Sequence, residues 1–94
     1  MLERNYQAQL IRELRRMFPG CIVLKNDTDY LQGIPDLLIL YGDRWAALEV
    51  KASGDAPVQP NQEYYIIEMG LMSFAAFIYP EIEEEVLYAL RQTL

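Results

Sequence analysis

A chain of 94 residues in which 52% of the side chains are hydrophobic can build one apolar core but not two, so a single domain over residues 1–94 is expected. The absence of histidine excludes most zinc sites, serine–histidine–acid triads and cysteine–histidine nucleophile pairs. Any catalytic metal must then be held mainly by oxygen, which points to magnesium or manganese. The lone Cys21 cannot form an internal disulfide and fits a reducing cytoplasm, where it serves as a small hydrophobe at the start of a strand. The longest apolar stretch, Leu71 to Tyr79, is interrupted by Ser73 and is too short to span a bilayer. Met1-Leu2-Glu3-Arg4 lacks the basic-then-apolar layout of a secretory signal, and no membrane association is expected.

The net charge of −6 opposes polyanion binding, but it is unevenly distributed. Residues 1–51 balance Arg4, Arg12, Arg15, Arg16, Lys25, Arg44 and Lys51 against Glu3, Glu13, Asp27, Asp29, Asp36, Asp43 and Glu49. Residues 52–94 hold only Arg91 against the remaining acids, a run of which falls between Glu81 and Glu85. The acidity therefore belongs to the C-terminal part, as a solvated helix end would.

In chain order, Leu2 to Met17 has the apolar spacing of an amphipathic helix ended by Pro19-Gly20. At about 100° per residue, Tyr6, Leu10, Ile11, Leu14, Met17 and Phe18 lie within roughly 80° of Glu3, and Arg4, Arg12, Arg15 and Arg16 lie on the far side. Glu3 thus points along the buried stripe with Gln7 one turn later. A carboxylate there is either costly and functional or simply a first-turn acid favoured by the helix dipole. Cys21 to Lys25 reads as a strand, Asp36 to Tyr41 as a second, Gly42-Asp43 as a tight turn and Arg44 to Lys51 as an antiparallel third. After the loop Ala52 to Gln59, Pro60 opens a helix expected to run through Met69, with Gly70 at its C-terminal end. Ser73 to Tyr79 is a fourth strand, and Pro80 opens a final helix.

Chemistry concentrates in Gly33-Ile34-Pro35-Asp36 and Glu49-Val50-Lys51. Residues two apart on a strand share a face, so Glu49 and Lys51 point together while Ala46, Leu48 and Val50 face the other way. Hairpin pairing brings Asp36 to the same end. Two neighbouring carboxylates repel unless a cation or a shared proton lies between them. A divalent metal held by Asp36, Glu49 and the Val50 backbone carbonyl would relieve that repulsion, polarise a phosphodiester oxygen and acidify a bound water. Lys51 would then orient the attacking water or neutralise charge on the phosphate. Both motifs, in order and at a short gap, arise by chance in only a few per cent of chains of this size, on roughly average residue usage. The bland alternative is a surface ion pair between Glu49 and Lys51 on an edge strand.

The run "QGIPDLLIL...WAALEVKAS...QPNQEYY" resembles the stand-alone VRR-NUC domains, a branch of the PD-(D/E)XK nuclease superfamily, over almost the whole chain. The resemblance implies an α/β fold with a restriction-endonuclease-like αβββαβ core, a mixed four-stranded sheet flanked by helices, and a C-terminal helix. It also implies an active site of Glu3, Asp36, Glu49, Lys51 and Gln62, with Mg2+ or Mn2+ as cofactor. The implied partner is DNA, cut by an endonuclease acting on branched duplexes such as Holliday junctions. Homodimers in a bacterial or phage-infected cell are implied too. Gln62 shares a helix face with Tyr65, Ile66 and Met69, but Gln59 is a rival for its role. Lys25 is a candidate phosphate contact or a plain strand-end lysine, and Gln7 a second substrate contact. The apolar segment Leu71 to Phe77 and the last helix are candidate dimer surfaces. Two other readings compete: a catalytically inactive DNA-binding module of a phage complex, and a hydrolase or scaffold with no nucleic-acid role.

Overall fold

Short apolar runs at Ile22–Leu24, Leu37–Tyr41 and Trp45–Leu48, each too brief for a helix and bounded by turn residues, form strands. The computed structural model describes all 94 residues, Met1–Leu94. Helix α1 (Glu3–Met17) is followed by strands β1 (Ile22–Lys25), β2 (Leu37–Tyr41) and β3 (Arg44–Val50). Then come helix α2 (Pro60–Met72), strand β4 (Phe74–Ile78), a 3-10 turn (Pro80–Ile82) and helix α3 (Glu83–Thr93). The sheet order is β1-β2-β3-β4, antiparallel except for the parallel β3–β4 pair. The result is an α/β fold with a mixed four-stranded sheet and three helices, and no helix is long and apolar enough to cross a membrane.

One face of the sheet carries the core. Leu37 and Ile39 of β2, Ala46, Leu48 and Val50 of β3, and Ile78 of β4 are fully buried against Tyr6, Leu10 and Leu14 of α1 and Val86, Leu87 and Leu90 of α3. Each large apolar side chain sealed there contributes roughly 1.5–3 kcal/mol relative to exposure. The opposite face is covered only in part. Helix α2 lies over β3 and β4 and has no buried residue of its own, while Ile22 and Leu24 on β1 remain 56% and 43% exposed.

Several boundaries shift by a residue for local reasons. Asp36 lies just outside β2, with its carboxylate accepting the Val50 N–H, and Lys51 lies just beyond β3. Gly70 is not a cap: α2 continues to Met72, where the Ser73 N–H bonds the Met69 carbonyl and the Ser73 hydroxyl donates to the Trp45 carbonyl. Glycine inside a helix costs about 1 kcal/mol relative to alanine, and those anchors outweigh it. Pro80 opens the 3-10 turn rather than the last helix, which starts at Glu83.

The loop between β1 and β2 is pinned at Gly33, whose φ of +92° no side-chain-bearing residue adopts easily. A Cβ there would lie 2.4 Å from the Asn61 Cβ and 2.7 Å from the Asn61 carbonyl carbon, at the start of α2. Gly42, in the β2–β3 turn with φ +64°, has open space around it. Gly42→Ala should cost about 1–2 kcal/mol from backbone strain alone, and Gly33→Ala clearly more. Urea unfolding checks this order, and equal losses would contradict it.

Candidate active site

The antiparallel register that pairs Leu37 with Leu48 sets Asp36 beside the Glu49–Val50 end of β3. The Val50 N–H donates to Asp36 Oδ2 at 2.9 Å. On the other side of Asp36, the Asn26 side-chain amide donates to the Pro35 carbonyl at 2.7 Å, and the Asn26 N–H donates to the Asp36 carbonyl at 2.8 Å. Asp36 is thus fixed from both neighbouring strands.

Glu49 and Lys51 are only 4% and 8% exposed, although β3 is an interior strand with apolar neighbours. A surface ion pair on an edge strand is therefore not what they form. Their charged ends lie 3.7 Å apart and are joined through Gln62. The Gln62 amide donates to Glu49 Oε2 at 2.9 Å, and Lys51 Nζ donates to Gln62 Oε1 at 2.8 Å. A second Lys51 proton goes to the Pro57 carbonyl at 2.9 Å. An ammonium has three donors, so one has no hydrogen-bond partner here, and Lys51 lines the cleft.

Gln62 is held by the helix end that carries it. Gln59 and Gln62 form a capping box at the α2 N-terminus, and the Gln59 N–H donates to Gln62 Oε1 at 3.0 Å. Between the two glutamines the geometry selects Gln62 for contact with the charged pair, and Gln59 serves as the cap.

These groups open into a cleft of about 580 Å³ whose walls include Glu3, Thr28, Asp29, Gln32, Gly33, Asp36, Glu49, Lys51, Asn61 and Gln62. Glu3 reaches it from the first turn of α1, but the residue is exposed rather than sealed in the apolar stripe. Gln7, one turn on, is half-buried and does not line the cleft. Lys25 is exposed at the end of β1 and is also outside it. Gln7 shares the face of Glu3 but sits one turn further along α1, and Lys25 pairs with Leu37 on the sheet face opposite to Glu49. The sequence did not single out Asn26, Asn61 or the Pro57 carbonyl. An asparagine ahead of a turn offers a weak signal, and a backbone carbonyl offers none.

Burial and the neighbouring Asp36 charge push the Glu49 carboxyl up from 4.5 to about 7, against the pull of Lys51. Burial also raises Asp36, opposed by the Val50 N–H and Lys51, and Glu3 is raised by burial and by Asp36. The single nearby ammonium does not balance this set, so the cleft favours an added positive charge. The donors are hard oxygens, which suits Mg2+ or Mn2+. No three acidic side chains converge as a ready-made cage, so Asp36 and Glu49 would need a backbone carbonyl, such as that of Val50 in the same cluster, or solvent to complete the shell.

Because the folded pKa of Glu49 is raised, its stabilising contribution is fully present below pH 4.5 and lost as pH rises through about 7. Without metal, wild type should therefore lose stability relative to Glu49→Gln across that interval. Added Mg2+ should raise the wild-type melting temperature more at about pH 8 than at about pH 5, since binding needs the deprotonated carboxylate. Melts of both proteins across pH check this, and a constant difference would contradict it.

No protein-family model matches this chain, and neither a curated protein nor a solved structure does, so any functional reading rests on the cleft itself.

Proposed function

We propose that the protein is a divalent-metal-dependent endonuclease that hydrolyses DNA phosphodiester bonds. The observation that carries this reading is the buried pair Glu49 and Lys51, joined by Gln62 and set beside the half-buried Asp36 in the wall of a polar cleft. It agrees with the resemblance to the VRR-NUC branch of the PD-(D/E)XK nucleases and with a restriction-endonuclease-like core.

Asp36 and Glu49 would hold Mg2+ or Mn2+ with the Val50 carbonyl. A bound dication would supply charge neutralisation at the phosphate and a more acidic water. The free Lys51 donor orients a water for in-line attack or takes up negative charge on the phosphate. Gln62 is a positioning residue: it fixes the Glu49 carboxylate and the Lys51 ammonium relative to each other. Glu3 contributes further negative charge at the rim.

Branched duplex DNA is the favoured substrate, because a two-fold dimer matches the symmetry of a four-way junction. A homodimer is supported by apolar surface left open on the α2 side. Tyr64, Ile67, Leu71 and Met72 are 56%, 56%, 81% and 71% exposed, and the adjoining half-sheet bares Ile22 and Leu24. Patches of this kind on a small domain mark an interface.

A gel assay on a labelled four-way junction, a linear duplex and single strands, with Mg2+, Mn2+ or chelator, tests the activity. Asp36→Asn, Glu49→Gln and Lys51→Ala should each lose about 100-fold or more of the cutting rate, and Gln62→Ala about 10–100-fold. No cleavage of any substrate with either metal would reject the enzyme. Leu71→Glu should turn a dimer into a monomer by sedimentation, and an unchanged mass would reject that interface.

A further inference from the structure

The chain carries eight basic side chains against fourteen acids, yet one surface is basic throughout. On α1, Arg4, Arg12, Arg15 and Arg16 fall within an arc of about 120°, at about 100° per residue. All four are exposed. Asn5 and Ala8, also exposed, fill the space between them without adding charge. Both acids of the helix, Glu3 and Glu13, lie outside the arc. Arg16 is paired with Glu13, whereas Arg4, Arg12 and Arg15 form no ion pair. The acids of α3 gather elsewhere, with Glu83 and Glu84 in a groove beside Glu13.

We infer that this face of α1 is a duplex-binding track that grips the phosphate backbone of DNA leading to the cleft. The inference rests on the nuclease reading for its substrate and adds the surface that holds it. Three features select a polyanion in the form of a duplex. The helix begins at the cleft, because Glu3 lines its wall and Arg4 follows directly. From Arg4 to Arg15 the track runs about 16 Å along the helix axis, a length of duplex axis over which each strand contributes about five phosphates at a rise of 3.4 Å. The inner face of α1 is committed to the core through Tyr6, Leu10 and Leu14, so the helix has no apolar side to insert into a lipid surface.

A charge stripe on a short rigid helix also resolves the conflict with the acidic net charge. Phosphate contacts act within about a Debye length of 8–10 Å, so the sign of the local face outweighs the total. Arginine suits the role, because its planar fork bonds phosphate oxygens two at a time.

The test measures binding of a short fluorescein-labelled duplex by anisotropy, with Ca2+ present to occupy the cleft, over a salt titration. Arg4→Ala, Arg12→Ala and Arg15→Ala are combined; alanine favours the helix at exposed sites, so the protein stays folded. The slope of log K against log salt should fall by about 2–3 when three phosphate contacts are removed. The corresponding triple lysine variant should keep most of the slope. Hydrolysis of bis(p-nitrophenyl) phosphate, too small to reach the track, should be unchanged in the alanine variant. An unchanged slope in that variant overturns the inference even if it cuts the small ester normally. Binding to anionic vesicles but not to the duplex would also overturn it, by assigning the face to a membrane. If wild type hydrolyses no phosphodiester but binds the duplex through the three arginines, the nuclease reading fails and the track stands.

Discussion

Two carboxylates and one ammonium drawn out of water at the end of β3 are the constraint around which the rest is arranged. Burying a charge is costly unless partners replace its solvent, and here each charged end has them. Glu49 has the Gln62 amide and Asp36 the Val50 N–H, while Lys51 has Gln62 and the Pro57 carbonyl. Burial and the neighbouring charge of half-buried Asp36 together raise the Glu49 carboxyl, more than the one ammonium lowers it. A fold seeking only stability would place apolar groups here, since buried ion pairs seldom improve on well-packed hydrocarbon. On the proposed reading, the cluster is an excess of negative charge that a bound cation would offset.

The surrounding elements follow from keeping that cluster rigid. Gly33 lets the β1–β2 loop lie against Asn61 at the start of α2, which fixes the helix end that carries Gln62. The capping box at Gln59 then sets the register of that turn. Asn26 ties the residues before β2 to the end of β1. The α1–α3 layer seals the other face with most of the apolar core and brings Glu3 to the rim.

Much of this was legible in the residues. Pro19-Gly20 and the apolar period fix α1, and Gly42-Asp43 fixes the hairpin that pairs β2 with β3. The two-residue period of a strand then puts Glu49 and Lys51 on one face, and the turn brings Asp36 to them. What escaped was set by contacts between distant segments. The face shared with Tyr65, Ile66 and Met69 points to Gln62, but only the sheet behind the helix decides that it, and not Gln59, meets Glu49. Gly70 looks like a helix end until Ser73 is anchored to Trp45. Lys25 and Gln7 have suitable chemistry for substrate contact, but Lys25 lies on the face of the sheet opposite to Glu49 and Gln7 one helical turn beyond the cleft. Half-covered faces are also hard to foresee, since Ile22, Leu24 and Ile67 read as core residues in a linear pattern.

The most direct measurement is a crystal grown with Mn2+ above neutral pH and examined by anomalous scattering. The account predicts a manganese peak between the carboxylates of Asp36 and Glu49, with Lys51 still bonded to Gln62. A clear map with no peak there, or with the Lys51 ammonium filling that space, would contradict it.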